Sequence, residues 1–206
     1  MGTQIQGADL KVEEDYWGQE NCSEILNLSR PDFIRNVHMK YLAAGSDAVE
    51  TNTFGGSHTT LGEFGLEASF LLQCQGLIEG RADCFLIETS QDPLQVKAAV
   101  NACKIAMKKM QAALPIMVQV TVETTGTMLV GTDIAAASTI IEALKVDVMG
   151  LNCATGPQEM ADHVRWLSQN WPRYISVLPN AGLPEMHHGH VHFPLGPEEM
   201  AKWLER

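Results

Sequence analysis

Five short apolar runs, each ending in a polar edge, recur along this chain at intervals of roughly thirty residues, the span that a strand and its crossover helix need. They cover residues 47–54, 83–89, 116–122, 147–153 and 175–182. Three of them open alike, as Ser46-Asp47-Ala48-Val49, Ala82-Asp83-Cys84-Phe85 and Val146-Asp147-Val148-Met149. Parallel neighbours must be joined by a crossover, so this repetition confines the chain to an α/β fold with a parallel sheet. In such folds the chemistry gathers at the carboxyl ends of the strands.

The intervening segments carry helix ends. Ser29 is expected to cap a helix with Asp32 three residues on and Pro31 in its first turn. Ile34, Val37, Tyr41 and Leu42 make its apolar stripe, and Gly45 closes it. Residues 93–110 place Leu94, Val96, Ala99, Val100, Cys103 and Met107 on one face, with Lys104, Lys108 and Lys109 late, where cations suit the helix dipole. Residues 133–144 and 157–170 follow the same logic, and Pro197 starts a last helix. Residues 185–196, rich in His, Gly and Pro, read as a surface loop.

Composition excludes several classes of function. A net charge of −11 over 206 residues, with no long run of Lys or Arg, argues against nucleic acid or an anionic membrane as partner. No apolar stretch reaches the ~20 residues of a membrane span, and no leader pattern is present, so a cytoplasmic, single-domain chain over residues 1–206 is expected. Five cysteines in such a chain fit reduced thiols. Cys74 and Cys103 fall on helix stripes, Cys84 falls inside a strand and Cys22 in a loop, and none has metal-ligand spacing to another.

The strand edges offer Glu50, Thr51, Asn52 and Thr53, then Glu88 and Thr89, Glu123, Asn152 and Cys153, and Asn180. A buried small hydrophobe is the default reading of any isolated cysteine. Cys153 departs from it by standing at a strand end, just before a helix start. His187, His188, His190 and His192 offer an alternative metal site, the last three on one side if extended, although a solvated loop is the expectation there. His38, His58 and His163 read as ordinary surface or core residues.

Six collinear blocks make a family resemblance specific. They are Met1-Gly2-Thr3, Cys22 to Leu28, Glu50-Thr51-Asn52-Thr53-Phe54, Leu86-Ile87-Glu88-Thr89 with Asp92, Gly150 to Pro157, and Pro179 to Pro184. Together they resemble the zinc-dependent homocysteine S-methyltransferase family, its cobalamin-dependent members in particular. The resemblance implies a (βα)8 TIM barrel, incomplete here with about five clear βα units. It implies methyl transfer to homocysteine, forming methionine, with zinc activating the substrate sulfur. A free thiol is only about 3% thiolate at neutral pH, and coordination makes the thiolate dominant. The donor implied is methylcobalamin on a partner domain, and the partners are cobalamin- and folate-binding domains of a longer polypeptide or a separate chain. Residue by residue, Cys153 matches a zinc ligand, Glu88 the carboxylate that holds the substrate's amino group, and Asn180 an amide beside the metal, with Asn52 lining the same mouth.

The departures are expectations too. The family's adjacent Cys-Cys zinc ligands and its leading Asp-Gly pair are not among these residues. About one βα unit is missing between the equivalents of Ala68 and Ser69, where residues 60–80 read as a single helical crossover. Two other readings follow from the residues: Glu88 and Glu50 as the acid-base pair of a lyase or glycosidase, and a non-catalytic remnant that binds homocysteine-like ligands.

Overall fold

The computed structural model describes residues 2–53, 70–187 and 190–205, and the chain divides into two compact units, Met1–Ser69 and Phe70–Arg206. The N-terminal unit contains α1 (Gly2–Gln6), α2 (Val12–Asp15), a 3-10 turn (Ser23–Ile25), α3 (Leu26–Ser29) and α4 (Pro31–Ala43). Ile5, Leu26 and Ile34 form its buried apolar cluster. Asp15 is buried beside them. The Lys11 backbone N–H at 2.8 Å and the Arg30 guanidinium at 2.7 Å hold its carboxyl below the usual carboxylate range.

Three expectations in this unit are corrected. Ser29 does not cap α4, because it is the last residue of α3 and its hydroxyl donates instead to the carbonyls of Asp15 and Ile25. The α4 stripe buries Ile34 and Val37 but leaves Tyr41 and Leu42 exposed. Residues 47–53 form no strand, for among the described residues they have no ladder partner, and an isolated strand is not stable in water. Gly45 closes the α4 turn as expected, with a left-handed φ of 98° and its N–H on the Leu42 carbonyl. Phe54, His58 and residues 60–69 of the expected crossover lie outside the described residues.

The C-terminal unit runs α5 (Phe70–Glu79), β1 (Phe85–Ser90), α6 (Pro93–Met110), β2 (Ile116–Val120), α7 (Ile134–Ala143), β3 (Val148–Asn152), α8 (Pro157–Asn170), β4 (Tyr174–Leu178), β5 (Glu185–His187), β6 (His190–His192) and α9 (Pro197–Leu204). The first four strands form one parallel sheet in the order β1-β2-β3-β4. Strand order equals chain order and each step crosses through a helix. This is the consecutive βα winding of the TIM-barrel type, incomplete, with four strands among the described residues rather than five.

Strand alternation sorts the sheet into two faces. Phe85, Ile116, Val118, Val120, Met149 and Leu151 are buried in one apolar cluster with residues of α6, α7 and α8, among them Val96, Val100, Ile141 and Leu167. Each such side chain contributes about 1.5–3 kcal/mol by leaving water. Residues of opposite parity are Gln119 and Thr121 on β2 and beyond it, Gly150 and Asn152 on β3, and Ser176 on β4. Gln119, Gly150 and Ser176 are in register, and Gln119 Nε2 donates to Ser176 Oγ at 2.8 Å across the side-chain-free Gly150.

Several finer readings are also revised. Leu94 is exposed although it opens the α6 stripe. Cys84 lies just ahead of β1 and is half-buried. The expected loop at 185–196 contains a two-stranded antiparallel hairpin, β5 pairing with β6 through Glu185 and His192, Met186 and Val191, and His187 and His190. Its alternating residues suit a ladder, a period-two signal that the Gly and Pro content hid. His188 lies outside the described residues. No helix among the described residues is long and apolar enough to cross a membrane.

Helix caps bear on stability directly. Asp133 stands at the N-cap of α7 and accepts from the Ala136 N–H at 2.8 Å. Asp133→Ala is expected to cost about 1 kcal/mol, read as a lower urea midpoint with an unchanged slope.

Candidate functional site

The carboxyl ends of β1 and β3 are joined by one side chain. Asn152, the last residue of β3, is fully buried. Its Oδ1 accepts from the Thr89 N–H at 3.0 Å. Its Nδ2 reaches Glu88 Oε1 at 3.0 Å, Thr89 Oγ1 at 2.8 Å and Cys153 Sγ at 3.2 Å. An amide has two N–H groups, so three acceptors share two protons. The Asn152 carbonyl accepts from Thr121 Oγ1 at 3.1 Å, and the Thr121 N–H donates to the Ser90 carbonyl at 2.9 Å, which brings the β2 end into the same network.

The backbone at this edge is held in costly conformations. Thr89 has φ of 54°, and Cys153 and Ala154 have φ of 58° and 57°. A β-branched residue in the left-handed region is an outlier, and such residues persist only where their surroundings over-determine them. Asn152 supplies that constraint for Thr89 by binding both its N–H and its hydroxyl. Beyond Cys153, Glu159 reaches back to the Gly156 N–H at 3.0 Å and fixes the start of α8. Gly156 is also closely packed, since a Cβ there would sit 2.8 Å from the Gly182 Cα.

The structure brings three of the four expected site residues to this edge. Glu88 is half-buried on β1, Cys153 is half-buried directly after β3, and Asn180 follows β4. The Cys153 N–H donates to the Leu178 carbonyl at 3.1 Å, and the Asn180 N–H donates to the Thr155 carbonyl at 3.1 Å, so the β4 end is stitched to the Cys153 turn. Glu123 accepts from Gln91 Nε2 at 3.1 Å nearby. The fourth residue, Asn52, belongs to the N-terminal unit. It is buried, its Nδ2 donates to the Ser23 carbonyl at 2.6 Å, and its own carbonyl accepts from Asn27 Nδ2 at 2.6 Å. In the same unit His38 Nε2 lies 2.9 Å from the Glu50 carbonyl.

Sequence reasoning placed Asn152 at the edge without making it the hub, and it passed over Gln119. The signal for both was parity, for each lies on the sheet face opposite the apolar cluster. Gln119 Oε1 is buried and has no hydrogen-bond partner among the described residues, and a buried acceptor left so is costly.

Chemically, the edge sets a thiol and a carboxylate on either side of one amide. The carboxylate can receive an ammonium group and the thiol can serve as a soft ligand. A zinc ion takes four N, S or O donors. Among the described residues no three His, Cys, Asp or Glu side chains come together as a metal-binding group. The described residues therefore offer zinc one thiol and do not by themselves fit the ion.

The family model for homocysteine S-methyltransferase matches residues 1–71 and 65–206. Methionine synthase of Mycobacterium tuberculosis (strain ATCC 25618 / H37Rv) is 39% identical over 256 residues, covering 99% of this chain and 21% of that protein. Methionine synthase of Mycobacterium leprae (strain TN) is 38% identical over 256 residues, again covering 99% of this chain and 21% of the relative. The chain thus spans about a fifth of the length of these curated relatives. Both alignments run longer than the 206 residues of this chain, so the relatives carry residues that have no counterpart here. The two family segments meet at residues 65–71, where the sequence places a missing βα unit. Matched from end to end, the chain belongs to the homocysteine S-methyltransferase family.

Proposed function

We propose that residues 1–206 are a single homocysteine-binding domain of a methyltransferase that converts homocysteine to methionine. The observation that carries this reading is the Asn152 amide, which holds the Glu88 carboxylate and the Cys153 thiol at one strand edge in a chain of this family. Glu88 receives the ammonium group of the amino acid, and the amide of Asn180 lines its path. Zinc and methylcobalamin enter as groups of the longer protein, in which Cys153 gives zinc one thiolate and cobalamin- and folate-binding domains supply the methyl group. The cytoplasm is the compartment proposed.

Titration calorimetry with homocysteine tests the substrate half of the reading. Glu88→Ala removes a charge-assisted hydrogen bond of about 1.5–3 kcal/mol, and affinity is expected to fall roughly 10- to 100-fold. Unchanged affinity would overturn the assignment of Glu88. The metal half is tested by zinc content in a version that includes the family's Cys-Cys run: Cys153→Ser is expected to lower bound zinc below stoichiometric, and a full complement of zinc in that variant would remove Cys153 from the site.

A further inference from the structure

Two thiols that the strand-edge site does not use meet in the core of the C-terminal unit. Cys74 on α5 and Cys103 on α6 are 6% and 2% exposed, and their sulfurs are 3.5 Å apart. The sequence reading found no spacing that linked them, since they are a whole βα step apart. Among the described residues no third His, Cys, Asp or Glu joins them as a metal-binding group. The other thiols stand apart in character: Cys22 lies in the N-terminal unit, and Cys84 and Cys153 are half-buried.

We infer that Cys74 and Cys103 form a peroxide-sensitive dithiol that closes to a disulfide and ties α5 to α6. The contact is already short, and an S–S bond at about 2.05 Å asks the sulfurs to close by roughly 1.5 Å more. The two thiols are also unequal. The hydrogen bond between the two sulfurs draws the Cys74 thiol below its ordinary range, although burial opposes it, while the same contact and burial push Cys103 far up. Cys74 is also the more accessible of the two, at 6% exposed against 2%, so its sulfur attacks and Cys103 is the resolving thiol. A small hydroperoxide suits a buried pair better than a bulky disulfide.

The step balances with hydrogen peroxide as the oxidant. Cys74 sulfur attacks one peroxide oxygen, an S–O bond forms, the O–O bond breaks, and the departing hydroxide takes up the Cys74 proton to leave as water. Cys103 sulfur then displaces the sulfenic oxygen, which departs as a second water carrying the Cys103 proton. Two thiols lose two electrons and one peroxide is reduced to two waters. The covalent loop so formed encloses β1 with Glu88, so oxidation stiffens the segment that bears the strand-edge carboxylate.

The test is peptide mapping after graded hydrogen peroxide and alkylation of the remaining thiols. A cross-linked peptide containing Cys74 and Cys103 is expected, reversed by dithiothreitol, together with a melting temperature several degrees higher. In Cys103→Ser, dimedone is expected to label Cys74, and in Cys74→Ser, Cys103 is expected to stay unlabelled. Recovery of both residues as alkylated thiols while Cys84 or Cys153 oxidises would overturn the inference, and so would dimedone labelling of Cys103 in Cys74→Ser. Mapping of the unmodified sequence decides the matter even if either variant fails to fold. The outcome is independent of homocysteine binding.

Discussion

Gly150→Ala is expected to destabilise the protein by about 3 kcal/mol or more, lowering its melting temperature by roughly 6–12 °C. Gly150 is the middle residue of β3 and is paired on both sides, with Gln119 on β2 and Ser176 on β4. A Cβ at this position would lie 1.7 Å from the Ser176 carbonyl oxygen and 2.6 Å from its carbonyl carbon. Backbone in a ladder cannot swing away as a side-chain tip can. Relief requires β3 and β4 to part, which sacrifices their hydrogen bonds and disturbs the apolar cluster beneath. The added methyl also enters the gap through which Gln119 reaches Ser176. Gly76→Ala is the matched control: Gly76 is an exposed helical residue of α5 with nothing within 4 Å of its Cβ position. Alanine there is expected to stabilise by about 0.5–1 kcal/mol, because it lowers the entropy of the unfolded chain and favours the helix. Thermal melts of the two variants should move in opposite directions. Equal shifts would show that glycine content alone governs the response.

The parts of this fold legible in the sequence were those specified locally. Helix α6 spans Pro93–Met110 and α8 spans Pro157–Asn170, as expected, because in each a long apolar period begins at a proline behind a clear break. Asp133 likewise announced the start of α7. The misread parts depend on partners that sequence patterns do not name. Residues 47–53 have strand composition, but a strand is made by its neighbour. Ser29 looked like a cap until Asp15, fourteen residues earlier, claimed its hydroxyl. At the candidate site, Glu88, Cys153 and Asn180 could be gathered in advance because strand ends are where α/β folds collect their polar residues. Their connection through Asn152 could not, since its bonds to Glu88 and Thr89 bridge more than sixty residues. The Cys74–Cys103 contact escaped for the same reason.

Asn152→Leu should produce the second large effect, and it separates the architecture of the edge from its volume. Leucine has a similar size, so the substitution leaves no large cavity, but it removes every polar atom of the hub. Thr89 then keeps a left-handed backbone with neither its N–H nor its hydroxyl satisfied by residue 152. A buried donor left without an acceptor costs about 1–3 kcal/mol, and strained backbone adds about as much once the contacts that enforce it are gone. A total loss of about 2–6 kcal/mol is expected. Thr121→Val provides the scale, because it deletes only the hydroxyl that donates to the Asn152 carbonyl at 3.1 Å and should cost about 1 kcal/mol. The two variants also differ at the site. Asn152→Leu frees Glu88 and Cys153 from their common amide, so the Cys153 thiol should react faster with a thiol-directed reagent under native conditions, while Thr121→Val leaves that rate unchanged. If Asn152→Leu were no more destabilising than Thr121→Val and left Cys153 reactivity as it was, the four contacts of Asn152 would be incidental packing, and the strand ends would be held in place by the β-ladder alone.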